Sequence, residues 1–496
     1  MTEEKNLEKT APLKPEKGSS HATRILLVLT GVALLVNYVE TMVIPGVPTI
    51  QKDFATTATI ASWITSAYLI VGSAVSPLFG KLGDIYGKKK MFLISLIFYM
   101  IGVGLAGFSP SIYFLLFARA LQGIGFAIIP LSIAIITEVY PREKVAVAQG
   151  VISGTFAIGA SLGLVIGSYV VQDLGWQYAF HSALVLSLIL FVVAAKILNK
   201  DIAKAVNRAV DYIGAGILMA GVTLLLLYIT EEPTLGWSSL EELGFLIPGA
   251  LLTFFFFVFE SKKANPLMNL GLLRIRNVLV GNLVGLVSGV IMFLLFFAIV
   301  YYAQLPLGFG LNEDIIAAGL TLAPSTLGML VGGIVTGRFL PRVGPKPVLI
   351  IGSGILGAGL LFFILNRSTA TFVAADLFVT LFGLVCILVP LVNMLAISLP
   401  RENVAVGLGM NTMLRNLGGA IGPVVATTIM ASYTTTAVEQ ISGHSVPVAF
   451  PTATAFNIIF GGGIVLAILV LAISLATKNY TFRNVQNNPA KASSAK

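Results

Sequence analysis

Apolar stretches of about 17–28 residues alternate with short polar segments along almost the whole chain of 496 residues. A helix needs about 20 apolar residues to cross the hydrocarbon core of a bilayer, so stretches of this length are typical of membrane-spanning helices. The pattern predicts an all-α membrane protein with 14 transmembrane helices, at residues 25–45, 60–80, 91–108, 112–137, 147–170, 178–197, 211–229, 243–259, 278–303, 315–338, 347–366, 371–398, 405–432 and 453–476.

The composition supports a chain embedded in lipid and argues against several other classes of protein. Only 11% of the residues are charged and 56% are hydrophobic, and the mean hydropathy is +0.93. The single cysteine, Cys386, excludes an internal disulfide, and the three histidines are isolated from one another in the sequence. No phosphate-binding G-x-x-x-x-G-K-[ST] loop occurs. We therefore predict no metal site and no cofactor.

The lysines and arginines fall mainly on one side of the predicted helices. Fourteen helices place both termini on one face, and that face receives 27 of the 31 lysines and arginines, nine in the two tails and eighteen in the loops. The other face keeps only Lys52 and Arg367, while Arg119 and Arg415 fall inside helices. Loops rich in Lys and Arg stay in the cytoplasm. We expect cytoplasmic termini, a multi-pass protein of the cell membrane, and no nucleic-acid partner for the net charge of +9.

The two halves of the chain resemble each other. The segment Gly80–Lys90, which reads GKLGDIYGKKK after helix two, has a weaker counterpart at Gly337–Lys346 after helix ten. Glycines spaced along helix five are matched by glycines on helix thirteen, again eight helices later. Two six-helix repeats separated by two inserted helices explain this offset, and such repeats are typical of transporters.

The repeats define the predicted domains. We expect two six-helix bundles, helices 1–6 and 9–14, with helices 7–8 inserted between them. The distribution of Lys and Arg predicts that both tails are cytoplasmic, and the polar composition of the first tail predicts that it is disordered. The predicted boundaries are 1–24 for this tail, 25–200 for the first bundle, 201–277 for the insertion, 278–477 for the second bundle and 478–496 for the last tail.

Two short motifs identify a family. Gly80–Lys90 fits the pattern G-x-L-x-D-x-x-G-[RK]-[RK], and helix four carries R-x-x-Q-G at Arg119, Gln122 and Gly123. At these positions the chain resembles the major facilitator superfamily, and its fourteen helices resemble the drug:proton antiporter branch. One departure is that Leu164 follows Gly163, where the branch usually carries Gly-Pro. The resemblance implies secondary active transport by alternating access, with helices one, four, nine and twelve around a central cavity.

Three charged residues inside predicted helices are candidates for proton coupling. Glu40 lies about 7 Å from the outer end of helix one, and Arg119 and Asp376 lie at similar depths, about 9 Å and 8 Å. Acids inside a span usually face a cavity or a partner. We expect all three charges to meet in the central cavity, where Glu40 exchanges a proton. The alternative is a static Glu40–Arg119 pair that only holds two helices together. We also expect a substrate cavity lined by Asn37, Thr41, Gln122, Tyr301, Tyr302 and Asn393.

The loop after helix two and the glycine runs suggest conformational roles. The resemblance implies that Asp84 docks near the start of helix thirteen and latches the cytoplasmic side shut. A loop that only fixes topology would explain the lysines but not the acid. The predicted latch comprises Gly80, Asp84, Gly87, Lys88 and Lys89. Glycine allows backbones to approach closely, and we expect a motif that packs the halves together at Gly159, Gly163, Gly167, Gly418, Gly422 and Pro423.

Together these features predict a secondary transporter that exports hydrophobic or cationic small molecules in exchange for protons. Its partners would be the substrate, protons and membrane lipids; it would use the proton gradient and act as a monomer. A proton-coupled symporter or a uniporter of a small organic solute remains an alternative. A membrane-embedded enzyme or a sensor is disfavoured, because the sequence shows no catalytic constellation and no signalling domain.

Overall fold

A computed structural model describes residues 18–198, 210–263, 266–399, 403–441 and 444–479. It has a helix at each of the fourteen predicted positions. The helices are α1 (Gly18–Met42, continued by a 3-10 turn at Ile44–Gly46 and the helix Val47–Asp53), α2 (Ala58–Tyr86), α3 (Lys88–Gly107), α4 (Ile112–Gly123, continued through a 3-10 turn by Ile128–Val139), α5 (Arg142–Leu174), α6 (Trp176–Ile197), α7 (Tyr212–Leu235), α8 (Leu240–Lys262), α9 (Arg276–Gln304), α10 (Ile315–Val343), α11 (Pro345–Leu365), α12 (Ala370–Ser398), α13 (Val404–Ser432) and α14 (Ala453–Leu475).

Local sequence fixes many of the helix ends. A side-chain oxygen accepts a hydrogen bond from a backbone N–H of the first turn at Thr57, Ser111, Asp211, Ser239, Asp314, Thr369 and Thr452. Four helices end at a glycine with positive φ, a backbone conformation that L side chains rarely adopt. These glycines are Gly87, Gly175, Gly236 and Gly344. Turns of a few residues then reverse the chain between neighbouring helices.

By length and composition, thirteen of the helices in the described residues qualify as membrane spans. The helix α13 has the required length, 29 residues, but it is less apolar because Asn411, Arg415 and Asn416 lie along it. The most polar helix of the second half therefore lies where the other helices can shield it from lipid. It packs extensively against α9 and α2.

Two expectations about the chain need correction. The helix α1 begins at Gly18, so residues 18–24 are helical although they were assigned to the disordered tail; residues 1–17 and 480–496 lie outside the described residues. The fold is not purely helical, because Thr434–Ile441 and His444–Pro451 form an antiparallel hairpin between α13 and α14. The rings of Phe309 and Phe450 stack with centroids 4.9 Å apart and join this hairpin to the α9–α10 loop.

Hydrogen bonds between helix ends define two faces of the molecule. The terminal face carries the start of α1 and the end of α14, and there Lys89 Nζ donates to Leu198 O at 2.6 Å. The distal face carries the opposite helix ends, and there Trp176 Nε1 donates to Asp53 Oδ2 at 2.9 Å.

The helices pack mainly within each half, and a few pairs join the halves. In the first half α1 packs against α5, and in the second half α9 packs against α13. The halves meet where α2 packs on α13 and where α5 packs on α10. The inserted helix α7 lies against both α2 and α13: Trp63 Nε1 donates to Thr230 Oγ1 at 2.9 Å, and Thr428 Oγ1 donates to Ile229 O at 3.0 Å. The insertion therefore lies beside one seam between the halves.

The segment Gly80–Lys90 is not an eleven-residue loop, as the sequence suggested. Residues from Gly80 to Tyr86 form the last turns of α2, and Lys88 begins α3, so the break is Gly87 alone with φ of 103°. One residue is enough for the break, because a glycine in that conformation both ends α2 and precedes the first residue of α3.

The glycines of the predicted packing motif do allow close approach, but within each half rather than between the halves. A Cβ on Gly159, Gly163 or Gly167 would lie within 2.1–2.7 Å of atoms of α1. A Cβ on Gly418 or Gly422 would lie within 2.0–2.6 Å of α9. Pro423 lies in α13 beside them, and its carbonyl accepts from Thr427 Oγ1 at 2.9 Å.

A different glycine provides the close approach between the halves. A Cβ on Gly319 of α10 would lie 2.4 Å from Ser168 Oγ and 2.8 Å from Leu164 O, both on α5. The paired glycines of the motif therefore hold each half together, whereas Gly319 belongs to the seam between α5 and α10.

Gly163 offers a test of the α1–α5 packing. We predict that Gly163→Ala lowers the free energy of unfolding by about 1–3 kcal/mol, because the new methyl would overlap Thr41 Oγ1 and force α1 away. The melting temperature of the detergent-solubilised protein would measure this loss. The control is Gly154→Ala on the same helix, where nothing lies within 4 Å of an added Cβ. Equal melting temperatures for both variants would contradict this packing.

Candidate functional site

Glu40 lies near the middle of the transmembrane region and has no fixed partner. Because α1 continues through a 3-10 turn to Asp53, Glu40 lies about 20 Å from the distal end of this segment, deeper than the expected 7 Å. The residue is 4% exposed. Among the described residues, no side chain forms a hydrogen bond or an ion pair with its carboxyl group. A buried acid without a partner is costly when charged.

Arg119 is held rigidly by its surroundings in the first half. Its Nε donates to Ile64 O at 2.9 Å, and its Nη1 donates to Gln122 Oε1 at 2.7 Å. The guanidinium carbon lies 4.4 Å from the ring centroid of Tyr68, a cation–π contact. A Cβ on Gly102 would lie 2.5 Å from Gln122 N, so this glycine lets α3 approach α4 at the level of the motif.

The alternative role, a static pair between Glu40 and Arg119, does not occur among the described residues. In the described part of the chain, no nitrogen of Arg119 lies within 4.0 Å of a carboxylate oxygen. Glu40 does interact electrostatically with two cations, most strongly with Arg415 and then with Arg119. The first of these is on α13, in the other half of the molecule, and its guanidinium carbon lies 5.8 Å from the ring centroid of Phe156 on α5.

Arg415 was not among the predicted site residues. Its signal in the sequence was a cation inside a predicted span, but that pattern also fits an arginine whose side chain extends to the membrane surface. Only the packing of α13 against the first half distinguishes the two. The central site therefore has one acid from α1, one cation from α4 and one cation from α13.

Asp376 does not join this site, contrary to expectation. Its backbone carbonyl accepts from Thr380 Oγ1 at 2.6 Å. A Cβ on Gly359 of α11 would lie 2.2 Å from that hydroxyl, so this face of α12 packs on α11. The carboxyl oxygen Oδ2 is buried and has no partner among the described residues. The expected equality of depth does not hold, because Asp376 lies six residues, about 9 Å, after the start of α12, whereas Glu40 lies about 20 Å from the distal end of its segment. Depth along a helix also does not specify which face of α12 the carboxyl group occupies.

Asn37 and Thr41 lie in a helix contact and not, as predicted, in the lining of a substrate cavity. Asn37 Nδ2 donates to Thr155 Oγ1 at 3.2 Å, and Thr41 Oγ1 donates to Ala160 O at 3.0 Å. Both side chains therefore lie in the α1–α5 contact and bond to α5. They were misplaced because a polar side chain inside a span can face either a cavity or a neighbouring backbone.

The other predicted cavity residues have mixed positions. Gln122 supports Arg119, as described above. Tyr301 Oη donates to Gln51 Oε1 at 2.8 Å near the distal face, and Tyr302 Oη donates to Arg367 O at 2.9 Å within the second half. Asn393 is partly exposed, and its Nδ2 donates to Val389 O of its own helix at 3.1 Å. These residues do not form one cluster with Glu40.

The predicted latch residues lie together on the terminal face. The Asp84 carboxylate lies 3.9 Å from Lys88 Nζ, and its side chain is 45% exposed. Lys88 also pairs with Glu138 of α4 at 2.5 Å, and Lys89 Nζ donates to Ala195 O at 3.0 Å. Within the described chain, Asp84 forms no bond to the start of α13, where docking was expected. Its lysine neighbours tie α3 to α4 and α6, all in the first half.

Side-chain hydrogen bonds between the two halves lie at the distal face or in the middle of the bundle. At the distal face, Gln304 Nε2 donates to Pro45 O at 2.8 Å, and Gln172 Oε1 accepts from the backbone N–H of Ile316 at 2.8 Å. Nearer the middle, Ser66 Oγ donates to Ala420 O at 2.7 Å.

At the terminal face, no comparable bond joins 18–198 to 276–479 among the described residues; Lys81 Nζ instead donates to the linker carbonyl Pro266 O at 2.5 Å. The halves are thus closed together on the distal side.

Comparison with known proteins identifies the chain as a whole. The family model described as Major Facilitator Superfamily matches residues 29–423. The tetracenomycin C resistance and export protein of Streptomyces glaucescens is 28% identical over 411 residues, 82% of this chain and 76% of that protein. The multidrug transporter protein MdtP of Bacillus subtilis is 27% identical over 420 residues, 83% and 76% of the two chains.

Solved structures share the fold at low sequence identity. The xylose transporter XylE from E. coli has a TM-score of 0.61 and 13% identity, and the match covers 91% of this chain and 98% of that chain. The nucleoside transporter NupG has a TM-score of 0.62 and 14% identity over 90% of this chain and 99% of that chain. The chain therefore belongs to the Major Facilitator Superfamily and is a multi-pass membrane transporter, which in bacteria lies in the cell membrane, rather than an enzyme.

Proposed function

We propose that this protein exports hydrophobic or cationic small molecules in exchange for protons, by alternating access between its two halves. The observation that carries the proposal is the Glu40 carboxyl group, which is buried in the middle of the bundle without a hydrogen bond or ion pair among the described residues. A permanently paired acid would serve the fold alone. An unpaired acid remains available for an exchangeable ligand.

Competition between a proton and a substrate cation for Glu40 would couple proton movement to substrate export. A charged carboxylate in a low-dielectric interior is costly, and binding either a proton or a cationic group removes that cost. Arg119 is already engaged by Ile64, Gln122 and Tyr68, so it biases Glu40 without neutralising it in contact. Because one carboxylate cannot hold a proton and a substrate cation together, each ligand displaces the other, which is the requirement for antiport.

The distribution of contacts supports alternating access. The halves are joined by hydrogen bonds at the distal face and in the middle of the bundle, and Asp84 on the terminal face is half-exposed beside Lys88. We take this as the state in which the terminal side is released. In the opposite state, Asp84 would dock at the start of α13, where the free N–H groups of the first turn and the helix dipole favour a carboxylate.

The relatives support export as the direction. Two of them are named for resistance and export or for multidrug transport. We further propose that the terminal face is cytoplasmic, that the protein acts as a monomer, and that the proton gradient supplies the energy without a cofactor. Two six-helix bundles flanking the α7–α8 insertion would be the moving units.

Removing the acid tests the proton role. We predict that Glu40→Gln abolishes proton-driven accumulation of the lipophilic cation ethidium in inside-out vesicles, because the amide cannot take up a proton. Fluorescence of vesicles energised by a pH gradient measures this accumulation. The control is Glu241→Gln, a change at an exposed acid of the distal face. Full proton-driven transport by Glu40→Gln would contradict the proposal, and proton flow in the same direction as substrate would indicate symport instead.

The latch has its own test. We predict that Asp84→Asn slows ethidium transport several-fold and reduces the population closed at the terminal face, because an amide interacts less well than a carboxylate with a helix N-terminus. Stopped-flow transport and spin-label distances across the terminal face report the two quantities. The matched control is Asp173→Asn, at an exposed acid near the distal end of α5. An unchanged rate together with unchanged populations would refute the latch.

The hydrogen bonds that join the halves at the distal face provide a third test. Gln172 joins the halves through both amide atoms, because Nε2 donates to Asp314 Oδ2 at 3.3 Å and Oε1 accepts from Ile316 N at 2.8 Å. We predict that Gln172→Ala raises the population open at the distal face roughly fivefold, equivalent to about 1 kcal/mol for bonds at an exposed site. Spin-label distances between the distal ends of α5 and α10 measure it. An unchanged distribution would show that these bonds do not stabilise closure.

A further inference from the structure

Arg415 is a second charged residue inside a span that has no fixed partner among the described residues, and its side chain is half-buried. It lies on α13, eleven residues after Val404 and so about 16 Å along the helix. Its described contact is with the ring of Phe156 at 5.8 Å, and the described residues offer it no hydrogen bond and no ion pair. An arginine serving only the fold would normally bond to carbonyls or extend to the membrane surface. This one does neither.

The ring under Arg415 is connected directly to the helix that carries Glu40. Phe156 follows Thr155, whose Oγ1 accepts a hydrogen bond from Asn37 at 3.2 Å. Asn37 precedes Glu40 by three residues, which is less than one helical turn. A Cβ on Gly159 would lie 2.7 Å from Asn37 Cβ, so α5 and α1 are in close contact at this level. Arg415 of the second half therefore lies over the ring of Phe156, in the part of α5 that packs against α1 near Glu40.

The charges of Glu40 and Arg415 interact electrostatically across the two halves. From the elements packed around it, Glu40 faces Arg415 of α13, Arg119 of α4 and the uncharged hydroxyls of Tyr68 on α2 and Tyr99 on α3. Of the two cations, Arg119 is bound by hydrogen bonds within the first half. Arg415 has no such bonds among the described residues and belongs to the second half, so its distance from Glu40 depends on the arrangement of the halves.

The helix that carries Arg415 extends from the central site to the terminal face. Nearer its N-terminus, Met410 and Met413 belong to an apolar cluster that includes Ala74 and Leu78 of α2. On the other side of Arg415, Ala420 O accepts from Ser66 of α2. A shift of Arg415 toward or away from Glu40 would therefore be transmitted along the α2–α13 seam between the halves.

We infer that Arg415 is a positioning residue that transmits the protonation state of Glu40 to the second half of the transporter. When Glu40 is charged, the attraction across the halves holds Arg415 and α13 toward α1. When a proton or a substrate cation occupies Glu40, this attraction disappears and α13 is released. The inference rests on the proposed role of Glu40 and adds the residue, Arg415, through which occupation of Glu40 would release α13.

The test follows the separation of the halves at different pH values. Spin labels are placed at Gly150→Cys on α5 and Gly337→Cys on α10, two glycines with nothing within 4 Å of an added Cβ. The native Cys386, which is buried, is replaced by serine to leave two reactive thiols. Distance distributions are recorded by double electron–electron resonance in lipid nanodiscs between about pH 5 and pH 9, without substrate.

In the otherwise native protein we expect the two distance populations to exchange with a single midpoint. Arg415→Gln should abolish the titration, so that the two populations no longer change between about pH 5 and pH 9, because α13 then carries no charge that Glu40 can attract. Arg415→Lys should restore the titration, and Glu40→Gln should remove it. Glu40→Gln/Arg415→Gln should behave like Glu40→Gln alone. The control, Arg338→Gln at an exposed arginine of α10, should leave the midpoint unchanged.

The outcomes separate the two proposals. A titration that persists in Arg415→Gln, while Glu40→Gln abolishes it, overturns the role of Arg415 and leaves that of Glu40 intact. A titration that persists in Glu40→Gln, or is absent from the native protein, overturns both. Melting temperatures check that each variant folds. If Arg415→Gln does not, Arg415→Met, an uncharged change of similar length, replaces it.

Discussion

The cost of placing charge inside a membrane governs this structure. Glu40, Arg119 and Arg415 lie within the spans, where a charged group has no bulk water to solvate it. The protein accommodates Arg119 with carbonyl, amide and aromatic partners from α2 and α4. It leaves Glu40 and Arg415 without such partners and places them on different halves. Each of these two charges therefore depends on the arrangement of the halves for its stabilisation.

This dependence explains why the surrounding helices pack so closely. The glycines of α5 bring α1 within backbone contact, and those of α13 bring α9 equally close. Lipid gives no hydrophobic driving force between helices, so such contacts and their hydrogen bonds hold each half together. Rigid halves let a change at one carboxyl group act on the whole bundle. The seams between them, α2 with α13 and α5 with α10, also contain hydrogen bonds, from Ser66 Oγ to Ala420 O and from Thr326 Oγ1 to Ser161 Oγ.

The two faces of the molecule differ in which helices their side chains connect. At the distal face, side chains bond across the halves, as Gln304 does to the carbonyl of Pro45. At the terminal face, the lysines after Gly87 bond within the first half, to α4 and α6. The insertion α7–α8 adds bulk beside the α2–α13 seam, where Trp63 reaches Thr230. The asymmetry between the faces is a property of side-chain contacts rather than of the helices themselves.

The sequence alone determined the class of protein and the order of its helices. Apolar runs of membrane length gave all fourteen positions, and the motifs at Asp84 and Arg119 gave the family, because both signals are local in the chain. The sequence could not show that α1 continues to Asp53, that the segment at 434–451 is a hairpin, or that Gly80 to Tyr86 is helical. These outcomes depend on neighbours that periodicity does not reveal.

The composition of the site was decided only by the tertiary structure. The sequence predicts similar depths for Asp376 and Glu40, yet α1 continues to Asp53, and the two acids face different neighbours because packing sets the rotation of each helix. Asn37 and Thr41 bond to α5 for the same reason. Arg415 joins Glu40 although 375 positions separate them in the chain. The sequence shows that a helix crosses the membrane, but its limits and which of its faces meets which partner are fixed by contacts that form only when the bundle assembles.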